Sequence, residues 1–177
     1  MPDMRLTGWS GGTPVARVRA ALTLKRMSFD DQTSEDAQDY ARRVPTLVLT
    51  LQGRTLRIPQ SLAILNFLEE AFPDPPLLPE DIADRARARS LLNMMVCDLQ
   101  PWLDAMPERR PDIWARLLAG TEHLCDPHGY AVGNTLSIAD TCIVPELQRA
   151  MAAGHALEQY PNLVRIHAVA GMHRAFH

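Results

Sequence analysis

Four prolines fall within Phe72-Pro73-Asp74-Pro75-Pro76-Leu77-Leu78-Pro79. Proline lacks the amide hydrogen that a helix interior needs and pushes the residue before it toward extended backbone. No helix can run through this stretch, which reads as a semi-rigid linker. On its N-terminal side, residues 1–72 mix strand and helix patterns. On its C-terminal side, residues 80–177 carry helical patterns only. The expected organisation is therefore a small α/β domain followed by an all-α domain.

Within the first part, Arg5-Leu6-Thr7-Gly8-Trp9 is a short strand candidate and Ser10-Gly11-Gly12-Thr13 a flexible loop. Pro14 suits a first helical turn, and Val15, Val18, Leu22 and Lys25 recur near the helical period. Met27 to Asp31 is a weak second strand, and Thr33 to Arg43 a polar connection. Val44-Pro45 introduces a β-rich run from Thr46 to Thr50. Gln52-Gly53 turns the chain back through Thr55 to Ile58, and Gln60-Ser61 opens the amphipathic run Leu62 to Glu70. The resulting order is β-α-β-β-β-α.

The second part reads as four helices. These span Asp81 to about Ala105 with a bend at Gln100-Pro101, Asp112 to Leu124, Ser137 to Ala153, and Pro161 to Ala175. Met94, Met95 and Cys97 read as helix core. Ser137 with Asp140 three residues on is a capping box, a cap worth about 1 kcal/mol.

Composition narrows the function classes. A hydrophobic content of 46% supports packed cores, and a net charge of −3 gives no reason to expect a nucleic-acid partner. No apolar run approaches the roughly 20 residues that span a bilayer, and the first residues lack the features of a signal peptide. Cys97, Cys125 and Cys142 show no C-x-x-C spacing, so neither a disulfide framework nor dithiol exchange is expected. His123, Cys125 and His128 lack a fourth ligand, and no metal site is expected. There is no G-x-S-x-G elbow. A soluble, cytoplasmic protein is the expectation.

The stretch from Arg43 to Glu70 suggests a ligand. Val44-Pro45 is expected to be cis, which would turn the backbone groups of Val44 outward to pair with a peptide. Ser61 at a helix start offers a hydroxyl and amide hydrogens where the dipole favours a carboxylate. Together these describe a receptor for a short acidic peptide. The wording "VPTL … QSLAILNFLEE" resembles the glutathione site of the glutathione transferases, most closely the zeta class, and "GNTLSIADTCIVPEL" resembles the same class. The likeness spans almost the whole chain.

That resemblance implies a thioredoxin-like glutathione-binding domain over 1–72, a helical domain over 80–177, glutathione as cofactor, and a homodimer. It implies a cis–trans isomerase of maleylacetoacetate- or maleylpyruvate-type products of aromatic catabolism. The alternatives are a general transferase conjugating other electrophiles and a non-catalytic glutathione-binding module. Against the family's Ser-Ser-Cys triplet the chain sets Gly12, Thr13 and Pro14, while a one-residue shift matches Gly12-Thr13 to the family's Gly-Thr variant and leaves Ser10 nearby; in both alignments Thr13 is the expected thiolate donor and Ser10 the second. Arg17 is expected beside the active site, while Arg19 reads as surface. Val44, Pro45, Gln60 and Ser61 are expected to bind glutathione, with Arg43 pairing its glycyl carboxylate. The family's substrate-holding arginine falls on Ala152, with Arg149 one turn earlier as a substitute. The chain is short for the family at Gln32–Ala41 and Ala105–Ile113.

Overall fold

The computed structural model describes residues 3–35, 44–99 and 110–177. The chain divides into two compact units, Met1–Leu77 and Leu78–His177, parted within the proline-rich segment.

In the first unit the described elements run β1 (Met4–Thr7), α1 (Thr13–Leu24), β2 (Asp30–Asp31), β3 (Thr46–Leu51), β4 (Arg54–Pro59) and α2 (Ser61–Ala71). This is the expected β-α-β-β-β-α order. The sheet is ordered β2-β1-β3-β4, with β1 parallel to β2 and antiparallel to β3. Leu51 pairs with Arg54 across a two-residue turn in which Gln52 (φ 51°) and Gly53 (φ 74°) both take positive φ. That matches the twist of the flanking strands, as two-residue hairpins require. Alternation places Met4, Leu6, Leu47 and Leu49 in the core with Val15, Val18, Leu22, Ile64, Leu65 and Leu68. β4 is an exposed edge strand and ends on Pro59, where no ladder donor is needed.

The register decides what lies at each end of the sheet. Thr7 at the end of β1 pairs with Thr46 at the start of β3, which pairs with Pro59 at the end of β4. The loop after β1, the residues before β3 and the entry to α2 therefore share one edge.

In the second unit, α3 (Ile82–Asn93) passes into a π-helical stretch (Met94–Leu99), followed by α4 (Arg110–Leu124), α5 (Ile138–Ala152), α6 (Pro161–Ala170) and a 3₁₀ turn (Arg174–Phe176). Asp81 caps α3, accepting from the amides of Ala83 (2.9 Å) and Asp84 (3.0 Å). The capping box at α5 is formed. Asp140 accepts from the Ser137 amide (2.8 Å), the Ser137 hydroxyl (2.9 Å) and the Ala131 amide (2.9 Å). Burial pushes the Asp140 carboxyl above its ordinary range, although those three donors act against the rise. Glu122 on α4 accepts from the amides of Asn162 (2.9 Å) and Leu163 (3.0 Å), so one helix caps another.

Several expectations are corrected. Val44-Pro45 is trans; among the described residues the cis peptide is Asp74-Pro75. An X-Pro bond prefers trans by about 0.5–1 kcal/mol, and only surroundings that fix it overturn that preference. The first helix of the second unit changes its winding at Met94 rather than running on unbroken. Its expected bend at Gln100-Pro101 lies outside the described residues. Cys97 is exposed and Met94 half-buried, so of that trio Met95 alone belongs to the core. The last helix stops at Ala170, with Gly171 as its C-cap.

Candidate active site

Thr13 is the first residue of α1 and is buried, with Gly12 before it as the N-cap. Gly12 has no side chain with which to cap; its carbonyl accepts from the amides of Val15 (3.0 Å) and Ala16 (3.1 Å). Thr13 is thus inside the helix and not its cap. The dipole end where an anion is favoured lies at this hydroxyl. Trp9 packs over the preceding loop, so a Cβ built on Gly11 would meet its ring at 3.0 Å and one on Gly12 at 3.2 Å.

Ser10 is held by backbone. Its amide donates to the Ser34 carbonyl (2.8 Å), and its carbonyl accepts from Arg19 Nη1 (3.3 Å). Arg19 is therefore no idle surface charge. Its Nε donates to Asp31 Oδ2 at 2.6 Å, and its Nη2 donates to Asp31 Oδ1 (3.3 Å) and the Thr33 hydroxyl. Burial would raise the Asp31 carboxyl, but hydrogen bonds from Arg19 and Thr33 outweigh it and hold it below the usual range. This cluster ties the loop after β1 to the segment that follows β2.

Arg17 lies one turn beyond Thr13 on the same face of α1 and is 1% exposed. Its Nη1 donates to Ser61 Oγ at 3.4 Å. Ser61, itself 4% exposed, is the first residue of α2. Gln60 precedes it with φ 75°, a conformation that a non-glycine residue enters at a cost of about 1–3 kcal/mol and keeps only where its neighbours fix it. Here they do. The Gln60 amide donates to the Pro45 carbonyl (3.0 Å), and the Gln60 carbonyl accepts from the Ile64 amide (3.0 Å). Pro45 and Gln60 are thereby joined although Val44-Pro45 is trans. Val44 is half-buried, and Arg43 lies outside the described residues.

The structure thus gathers Thr13, Arg17, Ser61, Gln60 and Pro45 within one unit: two helix N-termini joined by one buried guanidinium. Such an arrangement can hold one carboxylate and one developing anion. The Arg17–Ser61 contact was not read from the sequence. Its signal was a cation one turn after Thr13, on a face flanked by Ala20 and Ala21.

The second unit supplies other chemistry. Arg149 stands 5.9 Å from the centroid of the Trp114 ring and 3.8 Å from Glu146 Oε2. Among the described residues no cluster of His, Cys, Asp and Glu is arranged to hold a metal ion. Burial, with Asp140 and Glu122 adding to it, pushes the Cys125 thiol up to about 12, so it stays protonated. Among the described residues no helix is long and apolar enough to cross a membrane.

No family model matches the chain. It is 33% identical to the maleylacetoacetate isomerase of Emericella nidulans over 183 aligned positions, covering 85% of this chain and 80% of that protein. It is 30% identical to the maleylacetoacetate isomerase of Pseudomonas aeruginosa, covering 98% and 93%. Its fold matches that of the maleylacetoacetate isomerase of Anaeromyxobacter dehalogenans with glutathione bound in the active site, at a TM-score of 0.89 and 29% identity, covering 99% of this chain and 93% of that one. A second structure of that enzyme, holding dicarboxyethyl glutathione and citrate in the active site, matches at a TM-score of 0.87 and 31% identity, covering 99% and 89%.

Proposed function

Because the chain belongs to the zeta class of glutathione transferases, the family of the maleylacetoacetate isomerases, we propose that it is a glutathione-dependent cis–trans isomerase of maleylacetoacetate- or maleylpyruvate-type substrates. The observation that carries this reading is the Thr13–Arg17–Ser61 constellation on one edge of a thioredoxin-like sheet. Glutathione, when bound, supplies a thiolate that adds reversibly to an activated double bond, allows rotation about it and leaves unchanged.

The residues present fit that group. Glutathione carries a γ-glutamyl carboxylate and a thiol that must be deprotonated to act. Ser61, at the start of α2, would donate its hydroxyl to the carboxylate, where the helix dipole favours negative charge. Thr13, at the start of α1, would donate to the sulfur and lower its pKa by favouring the charged form. Gln60 and Pro45 fix the backbone between these points, and Arg19 fixes the loop that carries Ser10 and leads to Thr13. Arg43 and Val44 are assigned to the tripeptide's backbone and glycyl end on the family pattern. In the helical unit, Arg149 on Trp114 is the cation assigned to the substrate's carboxylate. In this reading residues 1–72 are the glutathione-binding domain and residues 80–177 the all-helical domain. A cytoplasmic homodimer acting in aromatic catabolism, without nucleic-acid or membrane partners, completes the proposal.

Retention on immobilised glutathione, followed by an isomerisation assay with maleylpyruvate and maleylacetoacetate, tests the reading. Retention with turnover of either substrate is expected. Retention with conjugation of other electrophiles and no isomerisation would favour a general transferase, and retention without any turnover a binding module.

A further inference from the structure

Arg17 is buried to 1% exposure, and its Nη1 lies 3.4 Å from the hydroxyl of Ser61, forty-four positions along the chain. Arginine has five donors and no acceptor, and it stays charged under all ordinary conditions. Ser61 Oγ must therefore be the acceptor in this contact, which commits one of its lone pairs. Its single O–H is left to donate elsewhere. A hydroxyl that can both donate and accept is ordinarily free to rotate and serves either kind of ligand group; one engaged by a guanidinium is biased to act as a donor. At 3.4 Å the contact is long for N–H···O, so the hydroxyl retains the freedom to turn and the contact can shorten when a ligand binds.

A guanidinium keeps its charge at every ordinary pH. Placing it behind Ser61, at the amide-rich start of α2, puts a fixed positive charge where an anion is already favoured. The same residue in an exposed position would be screened and contribute little.

We propose that Arg17 is the positioning residue of the carboxylate subsite. It orients the Ser61 hydroxyl as a donor toward the α-carboxylate of the γ-glutamyl group, and its buried charge strengthens that bond. This rests on the glutathione reading above. Arg17 acts through Ser61 and not on the sulfur, so it sets affinity and leaves the thiol chemistry to Thr13.

The test compares glutathione with γ-aminobutyryl-cysteinyl-glycine, the same tripeptide without its α-carboxylate, by calorimetry. The proteins are wild type, Arg17→Met, Arg17→Lys, Ser61→Ala and the Arg17→Met/Ser61→Ala double variant. Arg17→Met is expected to weaken glutathione binding roughly ten- to a hundredfold, the range of a lost hydrogen bond to a charged group. Its effect on the analogue should stay within about twofold, because the charge it serves is absent. The two single losses should not multiply in the double variant. The KM for glutathione should rise while kcat at saturation and the pH at which the bound thiol titrates hold steady. Should Arg17→Met not fold, Arg17→Lys, which keeps the charge but not the fork, should show a smaller loss with the same dependence on the carboxylate. Equal losses for both ligands, or losses that multiply, would overturn the proposal while leaving the glutathione reading intact. A wild type that binds neither tripeptide would overturn both.

Discussion

The ammonium of Lys25, at the end of α1, lies 2.9 Å from Glu69 Oε2 on α2, and its side chain is wholly withdrawn from solvent. It also donates to the carbonyls of Phe72 (2.7 Å) and Pro75 (3.0 Å), while Glu69 accepts from the Leu77 amide (3.0 Å). One ion pair thus fastens two helices and the proline-rich segment that follows them. Removing one member of a buried pair strands the other. Lys25→Met is expected to destabilise the fold by about 3 kcal/mol or more. Urea unfolding checks it, and a loss below about 1 kcal/mol would place the pair among exposed ones.

Asp126 and Arg87 make a pH-dependent tie in the helical unit. Arg87 Nη1 donates to Asp126 Oδ1 at 2.5 Å and Nη2 to Oδ2 at 3.1 Å, while Asp126 also accepts from the Gly133 amide at 2.7 Å. The Arg87 bonds, helped by the Gly133 amide, hold the Asp126 carboxyl below its ordinary range. A carboxyl with a lowered folded pKa stabilises the fold above its unfolded pKa of about 3.9. That contribution fades as pH falls through the folded value. Asp126→Asn should therefore be less stable than wild type at pH 7 and 5, with the gap closing below about pH 4. A gap that is constant with pH would mean the charge contributes nothing.

Asp140 serves the start of α5 with both of its oxygens, one on the Ala131 amide and one on Ser137. Its replacement by alanine strands three donors in a region with no solvent access. The loss should reach or exceed the upper end of about 0.5–2 kcal/mol for a helix cap. Glutathione affinity per folded molecule should be unchanged, since the residue lies outside the unit to which glutathione binding is assigned in the proposal. Thermal melting with a parallel binding titration decides it.

What the sequence disclosed, and what it hid, follows from how local each signal is. The hairpin at Gln52-Gly53, the box at Ser137 and Asp140 and the proline break at residues 72–79 are each set by neighbouring residues. The isomer of Val44-Pro45 turns on about a kcal/mol that tertiary surroundings decide. Arg17 was expected beside the active site, but its burial and that of Lys25 were hidden for another reason. Long cations are ordinarily solvated, and their burial depends on acceptors far along the chain, Ser61 and Glu69. Lys25 did sit in the apolar series Val15, Val18, Leu22, Lys25, which was the one available hint. The π-helical winding at Met94–Leu99 contains no glycine or proline of its own, and the nearest such signal, Pro101, lies just beyond it.

One alignment sets Gly12 against the family's first serine, and Trp9 makes a serine at this position costly. A Cβ at Gly12 would lie 3.2 Å from the Trp9 ring and 3.3 Å from the Trp9 carbonyl. Gly12→Ser is expected to lower stability by about 1 kcal/mol. Much of that cost should vanish in a Trp9→Leu background, where the ring is gone. Equal costs in both backgrounds, by urea unfolding, would show that the indole does not restrict this position.

Thr13 is the hydroxyl seated in the first turn of α1, four residues ahead of Arg17, whereas Ser10 lies in the loop before the helix, its backbone held by Ser34 and Arg19. Thr13→Val keeps the side-chain shape and deletes the donor. A hydrogen bond to the charged form lowers a thiol's pKa, so bound glutathione should titrate at higher pH in this variant. The shift expected from losing a bond of about 1.5 kcal/mol is about one pH unit. Thr13→Ser should retain most of the activity, and Ser10→Ala should move the titration less than Thr13→Val. Thiolate absorbance of the bound tripeptide, followed against pH, measures all three. A titration unmoved by Thr13→Val but abolished by Ser10→Ala would transfer the donor role to Ser10.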